Sequence, residues 1–309
     1  MSRRIVIIPL VWFLYSLQNA SAAPPITAAA VSPDGKHFLV GSQAGVVIHD
    51  AANLSPTGTT KTELEHVHDL QFSPDGKQLI LTGGAPGETG LIEIISWPGR
   101  EVLQRIAAHK DLVYRVAWSP SGTEFATASA DGTCCVVDSR TFREQTQYTG
   151  HSRPVLAIAY LPDGKTLVSA GVDQTLQLWD SRTGRRIRAL DNHLGPVNDL
   201  AVRPQSDPNS LPVVATVSDD RTVRLWQPTI GRLMRFAKLD SPPRCVAWSR
   251  DGSRIIVGCN DGSIRRIDPD TLEVDKPETG ITGRIFTLCS APDGKWLVGG
   301  EKSALRLVK

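Results

Sequence analysis

Short apolar segments and turn residues repeat along the whole chain. Tight turns of the type Ser-Pro-Asp-Gly, or variants of it, follow the apolar segments. They begin at Ser32, Ser73, Ser119, Leu161, Arg203, Ser249 and Ala291, which lie 41, 46, 42, 42, 46 and 42 positions apart. Proline fixes φ, aspartate bonds to nearby backbone and glycine accepts positive φ, so each turn favours a reversal between two strands. One such turn is common, whereas seven at this period indicate a repeat protein.

The residues before each turn alternate as expected of a strand that is buried on both faces. The last residue is mostly large and apolar: Val31, Phe72, Trp118, Tyr160, Val202, Trp248 and Ser290. The residue before it is nearly always small: Ala30, Gln71, Ala117, Ala159, Ala201, Ala247 and Cys289. Two further apolar segments follow each turn, so the copies predict strands in stacked sheets. The longer second and fifth copies contain residues 83–90 and 205–212, which we expect to be surface loops.

The best-preserved copy runs from Gly150 to Asp180, GHSRPVLAIAYLPDGKTLVSAGVDQTLQLWD. It opens on Gly-His, turns at Pro-Asp-Gly and closes on Trp-Asp. With these features and this period, the chain resembles the WD-repeat propeller family over residues 23–309. The resemblance implies an all-β fold, a seven-bladed β-propeller of four-stranded antiparallel blades whose last blade has either three or four strands.

In that family a complete blade holds a buried hydrogen-bonded tetrad of His, Ser or Thr, Asp and Trp. By resemblance the tetrads are His151, Ser169, Asp173 and Trp179 in copy four, and His193, Thr216, Asp220 and Trp226 in copy five. Copy three keeps His109, Thr127 and Asp131 but has Val137 where Trp belongs. The residue types match a hydrolase triad. Because the set recurs at blade spacing with an added indole donor, we expect a structural role and no catalytic residue.

The resemblance also places a partner-binding surface on the top face, which is formed by the loops that enter the innermost strands. The residues five and seven positions before each turn vary in chemistry around the ring, as a surface recognised by a partner would. Aromatic and arginine side chains carry much interface energy, which makes these the candidates: Tyr114, Arg244, Arg284 and Phe286, together with His66 and His68. The two histidines share a face and could hold a metal, but no third ligand is evident. We therefore expect no metal and no cofactor.

Residues 1–22 have the layout of a secretory signal peptide. Arg3 and Arg4 precede the apolar run Ile5 to Leu17, and Ala20-Ser21-Ala22 follows it, so cleavage after Ala22 is expected. The run is shorter than the roughly 20 residues of a transmembrane helix, which disfavours a stable membrane span. The predicted domains are a signal peptide at 1–22 and a propeller at 23–309, exported from a bacterial-type cell to the periplasm or secreted.

The net charge and the cysteine spacing disfavour some classes of ligand. Residues 23–309 hold 32 basic and 32 acidic residues, whereas a nucleic-acid binder normally shows a basic excess. We expect no nucleic-acid partner, with a local basic patch left open. The five cysteines lack C-x-x-C spacing, which indicates neither a zinc ribbon nor haem attachment. Buried thiols are favoured, with a Cys245–Cys259 disulfide between adjacent strands as the alternative.

Export and ring closure make conflicting demands on the N-terminus. In the family, the outermost strand of the last blade comes from the other terminus, and cleavage after Ala22 leaves too few residues for it. Either Phe13 to Ala22 stays attached and closes the ring, or the last blade has three strands and an edge at Leu305 to Val308 that can dock a partner's strand. We expect cleavage and an incomplete blade, which mass spectrometry of the N-terminus would test.

The sequence thus predicts a non-catalytic scaffold that presents a rigid propeller surface to a protein or peptide partner, in an oligomeric state that the pattern leaves open. The alternative is an exported propeller enzyme, a hydrolase, lactonase or oxidoreductase, with a site at the central channel. His66, His68 and Asp69 are its first candidates. Such enzymes need inward carboxylates from several blades, and the innermost strands offer only Asp69 and Asp199 at equivalent positions.

Overall fold

The computed structural model describes residues 23–205, 207, 209–291 and 293–309. These residues form seven antiparallel sheets around a central axis, six of four strands and the last of three. The predicted seven-bladed propeller with a three-stranded last blade is therefore confirmed for the described part of the chain. The predicted signal peptide, with the segment Phe13 to Ala22, lies outside the described residues and stays a prediction.

Each blade contributes one strand to the wall of the central channel. Numbered β1–β27 in chain order, these innermost strands are β1 (Ile26–Val31), β5 (His66–Phe72), β9 (Val113–Trp118), β13 (Val155–Tyr160), β17 (Val197–Val202), β21 (Pro243–Trp248) and β25 (Ile285–Ser290). Neighbours in this series pack against one another, and β25 packs against β1. The ring is closed at the channel wall.

The other strands follow outward in chain order within every blade. The second strands are β2 (His37–Ser42), β6 (Gln78–Ala85), β10 (Glu124–Ser129), β14 (Thr166–Gly171), β18 (Val214–Ser218), β22 (Ile255–Cys259) and β26 (Trp296–Gly300). The third strands are β3 (Gly45–Asp50), β7 (Thr89–Ser96), β11 (Cys134–Asp138), β15 (Leu176–Asp180), β19 (Thr222–Gln227), β23 (Ser263–Ile267) and β27 (Leu305–Val308). The outermost strands are β4 (Pro56–Thr60), β8 (Val102–His109), β12 (Glu144–Tyr148), β16 (Arg186–Leu190), β20 (Arg232–Lys238) and β24 (Glu278–Thr279). Single 3₁₀ turns lie at Pro228–Ile230 and Glu301–Ser303.

Apolar side chains fill the space between every pair of neighbouring blades. Blades four and five, for example, share a cluster around Leu178, Val197 and Trp226. The smallest cluster lies between blades seven and one, where Phe38 and Leu297 are fully buried. Both faces of each sheet are covered, and small residues two positions before the turn, such as Ala117, Ala159 and Ala201, pack into these clusters.

The structure corrects the expectation of a loop at residues 83–90. Strands β6 and β7 run through most of this segment and pair Gly83 with Leu91 and Gly84 with Gly90. A Cβ atom at Gly83 would lie 1.6 Å from the carbonyl oxygen of His66. Glycine is needed there because the backbone of the neighbouring strand occupies the side-chain position. In the second long copy, residues 205, 207 and 209–212 lie outside any strand, between β17 and β18, as expected for a loop.

All five cysteines are free thiols, four of them buried and Cys289 partly buried. Cys245 lies opposite Gly258, and Cys259 lies opposite Pro243. The two sulfurs are therefore not joined, and the alternative of a disulfide is not formed.

The outer edge of β27 carries no further strand among the described residues. Leu305 and Leu307 are partly buried against the cluster between blades seven and one. Just before β27, the Ser303 hydroxyl donates a hydrogen bond to the carbonyl oxygen of Pro24, which precedes β1, at 2.7 Å. Docking of a partner's strand at Leu305–Val308 stays a prediction. Within the described part, no helix is long and apolar enough to cross a membrane.

Candidate binding site on the top face

Every innermost strand has a β-bulge near its start, and the extra residue of each bulge has no partner on the second strand. The registers jump at Thr27, His68, Tyr114, Leu156, Asn198, Arg244 and Phe286. A bulge bends its strand and redirects a side chain, and bulges are common beside binding sites. Seven bulges at one level of the ring therefore present seven side chains to the same opening.

These seven residues line one pocket at the mouth of the channel, which we call the mouth pocket, with Arg115 as an eighth lining residue. Its volume is about 290 Å³, at the lower limit of the roughly 300–1,000 Å³ typical of small-molecule sites. The lining combines aromatic, aliphatic, amide and cationic groups. The pocket is thus of a size and chemistry that suit an inserted side chain better than a large cofactor.

The structure brings together all six predicted partner-binding residues. Tyr114, Arg244, Phe286 and His68 line the mouth pocket directly. The His66 ring stacks on His68 with 6.2 Å between centroids, and the Arg284 guanidinium lies over the Phe286 ring at 5.7 Å. Whether a partner uses them stays a prediction.

His68 is the most unusual member of the mouth pocket. Its Nε2 atom is buried and has no hydrogen-bond partner among the described residues, while its ring meets the edge of Tyr114 at 5.1 Å. Burial, with smaller contributions from His66 and Arg115, lowers the pKa of His68 to about 4. At neutral pH the ring is therefore uncharged, and its buried Nε2 stays unpaired among the described residues.

Two ion pairs hold the cationic side chains of the rim. Arg244 Nη1 lies 3.2 Å from Asp219 Oδ1 and 3.3 Å from Asn198 Oδ1. Asn198 donates in turn to Asp219 at 2.8 Å. On the other side Arg284 Nε donates to Glu301 Oε1 at 2.6 Å. These contacts fix the direction of both arginines, so the rim is organised before any partner arrives.

Deeper in the channel, one arginine connects three blades. Arg115 on β9 lies 3.0 Å from Asp199 on β17 and 3.6 Å from Asp69 on β5. Burial raises the pKa of each aspartate, and the Arg115 guanidinium opposes that rise. For Arg115 itself burial acts downward, but the two carboxylates raise its pKa. The three side chains line a second cavity of about 170 Å³ below the mouth pocket.

The same two aspartates also tie neighbouring blades together through the backbone. Asp69 accepts hydrogen bonds from the N–H groups of Leu70 and Val116, at 2.9 and 3.0 Å. Asp199 accepts from Leu200 and Val246 at the same distances. Their oxygens are therefore occupied by fixed donors, which disfavours either aspartate as a general base in the channel.

The tetrads of blades four and five form continuous hydrogen-bonded relays. In blade four, His151 Nδ1 lies 2.8 Å from Asp173, and its Nε2 lies 2.8 Å from the Ser169 hydroxyl, which accepts from Trp179 at 3.1 Å. In blade five, the corresponding distances from His193 to Asp220 and Thr216 are both 2.8 Å, and Trp226 donates at 2.9 Å. In blade three, His109 reaches Thr127 at 2.8 Å and Asp131 at 3.2 Å without an indole.

The environment of the tetrads fits a structural role. Ser169 and Thr216 have no exposed surface, so a substrate cannot reach either hydroxyl. Burial lowers the pKa of His193, which keeps its ring neutral. Burial acts to raise the pKa of Asp220, but hydrogen bonds from Thr222 and His193 lower it to about 2. In blade five, Asp220 is thus an anion that orients a neutral imidazole inside the sheet.

Among residues 23–205, 207, 209–291 and 293–309, no group of three or more His, Cys, Asp or Glu side chains is arranged to hold a metal ion. His66 and His68 stand as a stacked pair. The rival enzyme site at the channel therefore has neither a described metal centre nor a free carboxylate to support it.

Acid is expected to destabilise the protein through His68. Because the folded state holds the pKa near 4 rather than 6.5, stability is fully present above pH 6.5 and is lost as pH falls towards 4, by on the order of 3 kcal/mol. His68→Phe should remove most of this loss. The measurement is the free energy of urea unfolding above pH 6.5 and near pH 4. Tyr114→Phe, a control in the same pocket, should lose as much stability between these pH values as the wild type. An equal loss in His68→Phe would show that His68 is not the group responsible.

Two features of the site were not predicted from the sequence. The bulges leave no trace in the apolar pattern, because the alternation that the sequence shows covers only the last three positions before each turn and the extra residue lies five positions before it. Arg115 was overlooked although it occupies the same position in its repeat as Asp69 and Asp199. Because Asp69, Arg115 and Asp199 all lie four positions before the turn of their repeats, a closed ring places an arginine near two aspartates at one level. This pattern could have indicated the ion pairs.

The chain is similar to known proteins along its repeats. The model of the family described as "WD domain, G-beta repeat" matches residues 100–138, 142–180, 184–227 and 236–268, about half of the chain. The chain is 30% identical to WD repeat-containing protein VIP3 of Arabidopsis thaliana over 148 residues, which are 44% of this chain and 46% of that protein. It is 31% identical to THO complex subunit 3 of Arabidopsis thaliana over 107 residues, 34% of this chain and 32% of that protein. With the Intraflagellar transport protein 122 homolog of Homo sapiens it shares 35% identity over 83 residues, 26% of this chain and 6% of that protein. The matches span less than half the length of each of these relatives.

Proposed function

Because the chain belongs to the WD domain, G-beta repeat family, we propose that it is a non-catalytic scaffold that binds a protein or peptide partner at the mouth pocket. The convergence of seven bulge residues, one from each blade, carries this proposal. Propellers of this family typically serve protein interactions, and one relative is named as a subunit of a complex. The partner inserts a side chain between Tyr114 and Phe286 while the rim arginines contact its backbone or acidic groups.

The physical state of the pocket supports binding rather than turnover. The rim is held by the Asn198–Asp219–Arg244 network and the Arg284–Glu301 pair, so little entropy is lost when a partner docks. The buried hydroxyls of the tetrads and the occupied carboxylates of the channel offer no nucleophile or base to a substrate. Binding is therefore the activity that this set of groups favours.

We further propose that the scaffold works outside the cytoplasm, in the periplasm or after secretion. The arrangement of Arg3-Arg4, the apolar run and Ala20-Ser21-Ala22 supports export. The relatives reported above come from plants and mammals, so a bacterial-type origin rests on this N-terminal pattern alone.

A photo-crosslinking amino acid at position 286 is expected to capture a stoichiometric partner in the native envelope fraction. The matched control places the same group at Leu103, which is 44% exposed on the outermost strand of blade two. Tyr114→Ala and Phe286→Ala should each weaken binding of the captured partner by about 10–30-fold, as expected for aromatic hot spots. The proposal fails if positions 286 and 103 capture the same proteins, or if the pure protein shows hydrolase activity that disappears in His68→Phe.

A further inference from the structure

The described residues that line the mouth pocket include cations but no carboxylate. Arg115 and Arg244 carry a positive charge, and neither aspartate nor glutamate is among the eight. His68 adds no charge at neutral pH, because burial lowers its pKa to about 4. The lining therefore places two guanidinium groups, and no anion, around one opening.

The carboxylates that pair with these two arginines lie outside the lining. Asp69 and Asp199 pair with Arg115 and line the second cavity below rather than the mouth pocket. Asp219 pairs with Arg244 at 3.2 Å and does not line the pocket either. Each ion pair is therefore a dipole whose positive end is nearer the opening, and at short range the nearer charge has the larger effect.

Several donors at this opening have no acceptor in the described part of the chain. Arg244 uses only Nη1 for its contacts with Asn198 and Asp219, which leaves its Nε and Nη2 unbonded there. Arg115 directs Nη1 and Nη2 at its two aspartates, and its Nε is likewise unbonded. Burial raises the pKa of the Tyr114 phenol, so this group stays protonated and can also donate. The two guanidinium side chains are 24% and 28% exposed, which leaves them within reach of a ligand.

The acceptors at the opening are fewer and carry no charge. The Asn198 side chain is fully used, since its carbonyl oxygen accepts from Arg244 and its amide group donates twice. Nε2 of His68 is buried. The other acceptors, Nδ1 of His68 and the hydroxyls of Thr27 and Tyr114, are neutral, so they attract a cation less than two guanidinium groups repel it.

We propose that the group which a partner inserts into the mouth pocket is a carboxylate, either an acidic side chain or the carboxyl end of the partner's chain. Its oxygens accept from Arg244, Arg115 and Tyr114, while the carbon atoms beside it contact Leu156 and Phe286. A lysine or arginine side chain would instead place a third cation beside two guanidinium groups. This specificity rests on the binding function proposed above, because it belongs to the same pocket.

The test titrates the full, isotope-labelled chain with small blocked amino acids and follows binding by NMR. N-acetylglutamate methylamide carries only a side-chain carboxylate, and N-acetylleucine carries only a terminal one. We expect saturable binding of at least one of them, with a Kd on the order of 1 mM for ligands of this size and shifted signals at Tyr114 and Arg244. The one that binds identifies the source of the carboxylate. Their neutral amide counterparts and N-acetyllysine methylamide should bind about ten-fold more weakly.

Variants of the pocket test which groups hold the carboxylate. Arg244→Gln should raise the Kd of the carboxylate probe about ten-fold, and Tyr114→Phe about three-fold. The matched control Arg153→Gln makes the same charge change at an exposed residue just before β13 that does not line the pocket, so it should bind as the wild type does. Each variant is first checked for the wild-type unfolding midpoint.

Four results would overturn the proposal. The first is the absence of saturable binding of either carboxylate at about fifty times the expected Kd. The second is a neutral or lysine probe that binds as tightly as its carboxylate counterpart. The third is an equal loss of affinity in Arg244→Gln and Arg153→Gln. The fourth is inorganic phosphate that binds more tightly than both carboxylates, because the pocket would then select a tetrahedral anion. None of them bears on the proposed function itself, which the crosslinking at positions 286 and 103 tests.

Discussion

Arg115→Met is expected to lower the free energy of unfolding by about 3–5 kcal/mol, because it leaves two buried carboxylates facing each other without a counter-ion. The side chains of Asp69 and Asp199 are only 7% and 8% exposed, so the solvent compensates the loss of the guanidinium only in part. The affected contacts join blades two, three and five, and the loss should appear as a lower midpoint of urea unfolding for the whole ring. Intrinsic tryptophan fluorescence reports this, since Trp179 and Trp226 are fully buried.

Two further variants test the cause of this loss. Arg115→Lys keeps the charge but replaces the planar fork with a single ammonium group that cannot serve both carboxylates equally, so its cost should be intermediate. Arg153→Met removes an exposed arginine of blade four that forms no ion pair with a described residue, and should change stability by less than about 0.5 kcal/mol. A cost below about 1 kcal/mol for Arg115→Met would show that backbone donors alone satisfy the two aspartates.

The ring could be predicted because its turns and apolar positions are periodic. The turn residues mark the start of each second strand. The residue five positions before each turn then identifies one residue of the mouth pocket in every repeat. Counting did not show why these side chains share an opening. The reason is the bulge, which adds one residue to the innermost strand without changing the apolar alternation around it.

Two features could not be predicted from the apolar pattern: the contacts that connect different blades, and the outer surface of the ring. The physical reasons differ. The bridge from Arg115 to Asp69 and Asp199 joins strands that are far apart in the chain, and only the curvature of the closed ring brings them together. The outermost strands are exposed on much of their surface, as in Arg186–Leu190, where four of five residues are exposed. They carry little apolar periodicity, so their bounds were not predicted.

Thr216→Val is expected to cost about 2–5 kcal/mol, more than the same substitution at the equivalent residue of blade three. Valine matches threonine in shape, so the change removes the hydroxyl with little effect on packing. In blade five this leaves two buried groups unpaired, His193 Nε2 and the Trp226 indole N–H, and each orphaned group costs about 1–3 kcal/mol. In blade three, Val137 stands where blade five has the tryptophan, so the Thr127 hydroxyl forms a hydrogen bond with the His109 ring and with no indole. Thr127→Val should therefore cost about half as much. Urea unfolding of the two variants measures the difference, and equal costs would mean that the indole bond contributes nothing to the stability of the blade.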